Sequence, residues 1–221
     1  MNPAIGLMLG SMALSQILKV IGNARNKQVN ASPQPSVPQP TVPQPTATPT
    51  QPTPTTAYLQ GFARKGSGSQ YYDLINKAAQ QYGIHPSLLA ALLFQESGID
   101  TKAPDNVADI YNDKNVLLAK AARDRGVAQI NSYWHPEVND IQAHDPNFAI
   151  PWAAKRLASD IAHFKDVNRG VAAYNVGRGG ANIRGPQPFG GGPRGQKYLD
   201  ELSLNLEPEL RKQLGLITSY Q

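Results

Sequence analysis

The chain has 221 residues, of which 40% are hydrophobic, and this share is enough to build one core. Its net charge is +5, but residues 1–56 contain three basic residues and no acid, which leaves 18 basic and 16 acidic residues from Ala57 onward. The nearly neutral remainder argues against nucleic-acid binding by the globular part, and the lack of cysteine excludes disulfides and thiolate metal sites.

Residues 1–28 form a first region around an apolar segment from Ile5 to Ile21. This segment has 17 residues, at the short limit for crossing a bilayer, where about 20 are usual. It lacks the basic start and the small-residue cleavage site of a secretory signal. We expect a helix that inserts into a membrane or docks to a partner assembly. An atypical export signal and a helix packed on the chain's own core are the alternatives.

Residues 29–57 form a second region, which is rich in proline, glutamine and threonine. Between Asn30 and Thr56 it holds nine prolines, no charge and no aromatic residue, so it cannot build a core. Such a sequence favours an extended polyproline-II spacer of about 3.1 Å per residue. A ligand for a proline-binding module is the alternative interpretation.

The globular domain is expected over residues 58–221, and its first helices show in the hydrophobic periodicity. A helical stripe predicts a helix from Gln70 to Tyr82, and its members are Tyr72, Ile75, Ala79 and Tyr82. A tight connection through Gly83 follows, in which His85 is interpreted as a structural residue at the entry of the next helix.

The next helix runs from Pro86 to Gly98 and carries a glutamate on its apolar side. Leu89, Leu92 and Leu93 form one buried stripe, and Glu96 falls on that same stripe in the last turn. Partial burial and the negative end of the helix dipole both raise the pKa of such a carboxyl, as a general acid near neutral pH requires. The alternative is a glutamate that bends back to solvent.

The region after this helix is rich in charge. Asp100, Asp105, Asp109 and Asp113 lie in a stretch that predicts a solvated irregular loop, and their spacing does not match a calcium-binding EF-hand. No metal or other cofactor is predicted. Residues Lys114 to Arg125 predict a helix. The following segment 126–131 predicts a strand or turn that points Gln129 and Asn131 to one side of a cleft.

Three more helices are predicted towards the C-terminus. The first, Asn147 to Phe164, is amphipathic, with Lys155, Arg156 and Asp160 away from its apolar face. The last two run from Gln196 to Leu206 and from Pro208 to Leu214. Trp134, which precedes all three helices in the sequence, is interpreted either as a packing residue or as a surface on which a sugar stacks.

Three short motifs in this order give a family resemblance. They are Glu96-Ser97 at the end of an apolar helix, the segment Gly126-Val-Ala-Gln-Ile-Asn131, and Ala173-Tyr-Asn-Val-Gly177. Together they make residues 70–202 resemble the catalytic domain of the soluble lytic transglycosylases. The resemblance implies a mainly α, lysozyme-like (α+β) fold of the goose-lysozyme type.

The resemblance also implies roles for individual residues. Glu96 matches the family's single catalytic acid/base, and Ser97 matches the serine that helps to shape the site. Gly126 and Gln129 match a Gly-Leu-Met-Gln element whose glutamine faces the sugar cleft. The residues implied to hold substrate or to reach the carboxyl are Tyr174, Asn175 and Tyr198.

Two features depart from the family pattern. Residues 104–123 make the interval between Ser97 and Gly126 longer than usual, which predicts an insertion at the cleft rim. The usual Ser-x-x-Gly-Ala lead-in is replaced by Ala121-Ala-Arg-Asp-Arg125, which leaves the local strand pairing open. The glycine-rich stretch 177–195 predicts a mobile loop beside the cleft, whose Arg178, Arg184 and Arg194 are able to meet peptidoglycan carboxylates.

The implied reaction needs only one carboxyl from the protein. Most glycosidases use two, and Asp100 is the only other acid near Glu96 in the sequence. If Asp100 does not face the cleft, the second reactive group must come from the substrate. The resemblance implies this outcome, with an N-acetylmuramic acid residue closing on itself to a 1,6-anhydro sugar.

The sequence as a whole therefore predicts a peptidoglycan lytic transglycosylase on a tether. The expected setting is a phage virion that opens the cell wall from the periplasm, and a cell-envelope or secretion-system enzyme is the competing setting. The expected partners are peptidoglycan strands and a membrane or assembly bound through residues 5–21. The alternative functions are a muramidase that admits water and a non-catalytic glycan-binding virion protein.

Overall fold

The computed structural model describes residues 59–112, 114–182 and 192–220. The apolar segment 5–21 and the proline-rich region 29–57 lie outside these residues, as do Asp113, Arg184 and the middle of the glycine-rich stretch. The predictions made for them stay predictions. No helix within the described ranges is both long and apolar enough to cross a membrane.

The described residues form a mainly α-helical domain with one small sheet, which confirms the predicted fold class. The helices are α1 (Tyr72–Tyr82), α2 (Pro86–Ser97), α3 (Asp140–His144), α4 (Pro146–Phe164), α5 (Val167–Ala181), α6 (Gly192–Ser203) and α7 (Pro208–Gln213). The strands β1 (Asn106–Tyr111), β2 (Leu117–Arg125) and β3 (Ile130–Asn131) form an antiparallel sheet in the order β1-β2-β3.

Helix α2 begins and ends at the predicted residues. His85 caps its start, where the ring Nδ1 accepts a hydrogen bond from the backbone N–H of Ser87 at 3.2 Å. Gly98 ends it in the left-handed conformation, at φ 73°. Burial is not confined to one stripe, because all six residues from 88 to 93 are buried. Helix α2 is therefore the central helix of the core, and a glutamate at its end enters the interior of the domain.

The region between α2 and residue 126 was wrongly predicted. Residues 114–125 were expected to be helical, but most of them form β2, and the expected loop of residues 99–113 contains β1. Leucine, alanine, lysine and arginine favour a helix, but hydrogen bonding to β1 overrides this weak local preference. The predicted insertion 104–123 is thus largely a β-hairpin, and it ends next to residues 124 and 125.

Helix α4 packs against α5, and α5 packs against α6. These three helices form the second half of the domain. The apolar face predicted from Ile150, Ala154, Leu157, Ala158 and Ile161 of α4 is buried at the first three of these residues and half-buried at the other two. Asp160 was expected on a polar face, and this was wrong, because its side chain is fully buried. Two arginines, on α4 and on α5, neutralise that carboxylate and make its burial tolerable.

The two ends of the described domain are joined by backbone hydrogen bonds. The N–H of Ala63 donates to Asn205 O at 2.9 Å, and the N–H of Glu207 donates to Gly61 O at 2.8 Å. Beside them, Ser87 Oγ at the start of α2 donates to Gln60 O at 2.5 Å. The first residues of the domain are therefore fixed both to its C-terminal part and to the central helix.

Candidate active site

A cavity of about 290 Å³ lies between the end of α2, the sheet, α4 and α5. Its lining combines acids, bases, amides and aromatic rings, which makes it suited to a polar ligand with apolar faces. The lining residues with polar or aromatic side chains are Glu96, Asp124, Gln129, Asn131, Trp134, His135, Trp152, Arg156, Tyr174, Asn175 and Arg178.

Glu96 stands in the last turn of α2 with its carboxyl among protein groups at the cavity wall. Burial raises the pKa of this carboxyl from its ordinary 4.5 to about 7. A hydrogen bond from Tyr198 acts in the opposite direction, and the nearby Asp124 charge adds to the upward shift. Glu96 therefore keeps its proton up to about neutral pH, which the solvent-exposed alternative does not allow.

Two tyrosines approach this carboxyl from the second half of the domain. Tyr198 on α6 donates its hydroxyl hydrogen to Glu96 Oε1 at 2.5 Å, although it does not line the cavity. Tyr174 on α5 lines the cavity and donates its hydroxyl hydrogen to Ala128 O at 3.0 Å. Burial and the Glu96 charge raise the pKa of both phenols, so both stay neutral donors. Asn175, the next residue along α5, also lines the cavity.

The turn after β2 brings Gln129 to the cavity. It begins at Gly126, at φ 63°, where an added Cβ would lie only 2.0 Å from Ala143 O. Gln129 is itself at φ 47°, and its Nε2 donates to Gly126 O at 2.9 Å. Ser97 Oγ donates to Val127 O at 2.8 Å, which ties this turn to the end of α2. Ser97 thus holds the turn in place and does not line the cavity.

A second carboxylate, which the sequence analysis did not identify, lines the same cavity. Asp124 near the end of β2 is buried, and its two oxygens accept from Asn131 Nδ2 at 2.7 Å and Asn106 Nδ2 at 3.4 Å. Asp100, the acid considered from sequence, is exposed and caps the backbone N–H of Lys102. The expectation of a single carboxyl at the site was therefore wrong. The sequence of residues 117–125 gives no signal that Asp124 faces the cleft, because these residues favour a helix locally.

Trp152 and His135 also line the cavity, and the sequence analysis assigned neither to the site. Trp152 on α4 packs edge-on against His135 and Tyr174, with ring centroids 4.8 and 6.5 Å away. Burial, followed by the Arg156 charge, lowers the pKa of His135. Its Nε2 accepts from Arg156 Nη1 at 2.7 Å, which requires a neutral ring with the hydrogen on Nδ1. Trp134, which the sequence analysis considered as a stacking surface, lines the cavity as well.

The structure thus brings together most of the residues singled out in the sequence. Glu96, Gln129, Tyr174 and Asn175 line one cavity, and Tyr198 contacts the carboxyl from behind. Arg178 also lines it, whereas Arg194 does not. Within the described ranges no group of three or more histidines and acids has a metal-binding arrangement. The chemistry available is proton transfer from one protonated carboxyl, beside one carboxylate and several neutral hydrogen-bonding groups.

Comparison with protein families gives a match for half of the chain. The family model described as "Transglycosylase SLT domain" matches residues 73–185. The matched segment begins in α1 and ends just after α5, so it contains Glu96, the hairpin, the turn at Gly126 and Tyr174. Tyr198 lies beyond its end.

Proposed function

Since this chain belongs to the SLT transglycosylase domain family, whose members cleave peptidoglycan, we propose that it is a lytic transglycosylase acting on glycan strands. The bond cleaved is the β-1,4 bond between N-acetylmuramic acid and N-acetylglucosamine, and the product is a 1,6-anhydro sugar. One observation carries the proposal: Glu96 holds its proton up to about pH 7 at the wall of a cavity of suitable size.

The reaction follows from that protonated carboxyl. Glu96 donates its proton to the glycosidic oxygen as the bond from that oxygen to the anomeric carbon breaks. The acetamido group of the muramic residue supports the anomeric carbon in the meantime. Glu96, now ionised, accepts the proton of the muramic 6-hydroxyl as that oxygen bonds to the anomeric carbon. No water is consumed, and Glu96 ends in its original protonation state.

The surrounding groups suit this cycle. Gln129, Tyr174 and Asn175 present neutral polar atoms, which orient a sugar without placing a positive charge against Glu96. The Tyr198 hydroxyl remains bonded to Glu96 and stabilises the carboxylate form that must exist midway. The roles assigned to these four residues are part of the proposal.

Replacing Glu96 with glutamine tests the proposal directly. We expect Glu96→Gln to abolish clearing of peptidoglycan in a zymogram, and Glu209→Gln, an exposed glutamate on α7, to leave it unchanged. Mass spectrometry of wild-type digests should show muropeptides one water lighter than the reducing-end products. Clearing by Glu96→Gln would contradict the assignment, and no clearing by the wild type would favour a glycan-binding protein.

Asp124 supports a second candidate, a muramidase. Glycosidases that use water or form a covalent intermediate usually have two carboxyl groups, which flank the glycosidic bond. Asp124 is close enough to Glu96 to raise its pKa, and two asparagines hold its oxygens in place. In this case the digests would carry reducing ends. An Asp124→Asn variant that switches such digests to anhydro ends would assign water activation to Asp124.

We also propose a setting for the enzyme, which is supported by the sequence of residues 1–57. An apolar segment followed by a proline-rich spacer suits delivery by a phage virion during entry, with a bacterial envelope assembly as the alternative. Detection of the protein by immunoblot in purified virions would support the first setting. Its presence only in envelope fractions of uninfected cells would support the second.

A further inference from the structure

Two arginines share one buried carboxylate at the cavity wall, and we name Arg156, Asp160 and Arg178 the arginine cluster. Arg156 Nε donates to Asp160 Oδ2 at 2.9 Å, and Arg178 Nε donates to Asp160 Oδ1 at 2.7 Å. The Asp160 side chain is 1% exposed, while those of Arg156 and Arg178 are 24% and 44% exposed. The carboxylate thus braces both guanidinium groups from inside the domain.

The backbone of α5 is shaped to put Arg178 in this position. Gly177 interrupts the helix with φ 69° and ψ 165°, a conformation that side-chain-bearing residues rarely adopt. The chain changes direction there, and Arg178 turns back to reach Asp160 and Ser159 Oγ on α4, the latter at 2.7 Å. The kink at Gly177 thus places Arg178 beside Asp160 at the cavity wall.

Both arginines keep donors available. Arg156 uses Nε for Asp160 and Nη1 for His135, and Arg178 uses Nε for Asp160 and Nη2 for Ser159. Within the described part of the chain, Arg156 Nη2 and Arg178 Nη1 have no hydrogen-bond partner, and both residues line the cavity. The cluster carries two positive charges, on Arg156 and Arg178, and one negative charge, on Asp160. Its net charge is therefore +1.

Tyr174 lies next to the arginine cluster, since the Arg156 guanidinium carbon is 5.9 Å from the centre of its ring. Burial raises the pKa of the Tyr174 hydroxyl most, and the charges of Glu96 and Arg156 both act on it as well, the first raising that pKa and the second lowering it. The wall of the cavity therefore carries two acids, Glu96 and Asp124, and also the positively charged cluster. A ligand that reaches both the acids and the cluster would place a neutral reacting bond next to Glu96 and an anionic group next to the cluster.

We propose that the arginine cluster binds a carboxylate carried by the glycan substrate. Guanidinium groups bind carboxylates through paired, charge-assisted hydrogen bonds, and a preorganised pair loses little side-chain entropy on binding. The carboxylate belongs either to the peptide attached to muramic acid or, where the peptide has been removed, to the free lactyl group. The inference rests on the proposed function in taking a peptidoglycan strand as the ligand, and it adds that the enzyme selects strands by their negative charge.

Binding to three preparations of glycan strands tests this in the Glu96→Gln background, where nothing is cleaved. The first carries intact peptides, the second has lost its peptides to an amidase and exposes lactyl carboxylates, and the third has these carboxylates converted to neutral methylamides. We expect the third to bind about ten-fold more weakly than whichever of the other two carries the recognised carboxylate. Tightest binding of the first preparation identifies a peptide carboxylate. Tightest binding of the second identifies the lactyl carboxylate, which is an amide in the first preparation and is free only after the peptide is removed.

A second substitution assigns the effect to the cluster. Adding Arg178→Gln should bring the three affinities to within about two-fold of each other, whereas Arg178→Lys should retain part of the preference. Lys155→Gln removes an exposed charge next to Arg156 and should leave the preference intact. Because each comparison is a ratio within one protein preparation, a partly unfolded variant still gives a valid answer.

Two outcomes would overturn the inference. One is equal binding of all three preparations by the protein with an intact cluster, and the other is a preference that survives Arg178→Gln. The proposed function fails separately, when wild-type digests show neither anhydro nor reducing ends, since the binding measurement requires no catalysis.

Discussion

Glu96 shows how far a single residue can be understood from its place in a sequence pattern. Glu96 occupies a helix position where the periodicity predicts an apolar residue, which led us to expect a partly buried carboxyl with a raised pKa. In the structure, burial is the main cause of the raised pKa. The second carboxylate, Asp124, was not predictable in the same way. It enters the cavity through a strand pairing with Asn131, and that pairing is not visible in a stretch of helix-favouring residues.

The raised pKa of Glu96 makes a prediction about stability. The unfolded chain releases this proton near pH 4.5 and the folded protein near pH 7, so the folded state binds more protons in between and its stability falls as pH rises. Relative to wild type, Glu96→Gln should therefore gain about 3 kcal/mol in unfolding free energy between acidic and mildly alkaline pH. Urea titrations of both proteins at several pH values measure this difference. A difference that stays constant with pH would mean an ordinary pKa for Glu96.

Tyr198 makes a prediction about the pH dependence of activity. Its hydroxyl stabilises the ionised form of Glu96, so the bond lowers the pKa of that carboxyl. Tyr198→Phe should raise this pKa further and move the alkaline limb of the kcat profile to higher pH. Tyr82→Phe, on α1, should leave the limb in place. A limb that moved to lower pH would contradict the assigned hydrogen bond.

At the scale of elements, prediction succeeded where local and tertiary preferences agree. Helix α2 has proline at its start, glycine after its end and an apolar middle, and all of these act over a few residues. The β-hairpin was not predicted, because β2 carries residues that suit a helix and β1 lies in a stretch rich in aspartate. Only pairing between β1 and β2 selects the extended form. The segment 126–131 was predicted as a strand or turn, and the structure has both, a turn followed by β3.

The turn at Gly126, which follows the hairpin, packs closely against Ala143 of α3, and this contact can be tested. An alanine there would need both a left-handed backbone and room for a methyl group against Ala143 O, 2.0 Å away. We expect Gly126→Ala to lower the unfolding free energy by about 3 kcal/mol or more. The control is Gly83→Ala, at φ 67° with open space around it, which should cost about 1 kcal/mol. Equal losses in chemical denaturation would show that the contact with α3 relaxes freely.

At the scale of the whole molecule, the lysozyme-like class was predictable from the family resemblance of three short motifs. Five of the helices, α1, α2, α4, α6 and α7, were predicted from their local pattern, whereas α3 and α5 were not. The arginine cluster was not predictable, since its three members lie on two helices and meet only through a kink at Gly177. The division of the chain at residues 28 and 57 stays a prediction. It depends on composition alone, and the structure describes no residue before Leu59.

This division can be tested with a fragment. The core of the described domain extends from Leu59 to Leu216, so residues 58–221 should fold without the preceding segments. We expect the fragment to melt within about 2 °C of the full chain, because a proline-rich spacer contributes no core contacts. Differential scanning calorimetry of both forms makes the comparison. A clearly lower melting temperature would favour the alternative in which residues 5–21 pack on the domain.

The bonds from residues 60–63 to Ser87, Asn205 and Glu207 determine where a mechanical load enters the domain. A pulling force on the preceding chain acts first on these bonds, one of which joins Gln60 to Ser87 at the start of α2. Glu96 is nine residues further along that helix, about 14 Å away at 1.5 Å per residue. A helix is stiff along its axis, so a pull on the chain before residue 60 would load the hydrogen bonds of residues 60–63 before it reached the groups around Glu96.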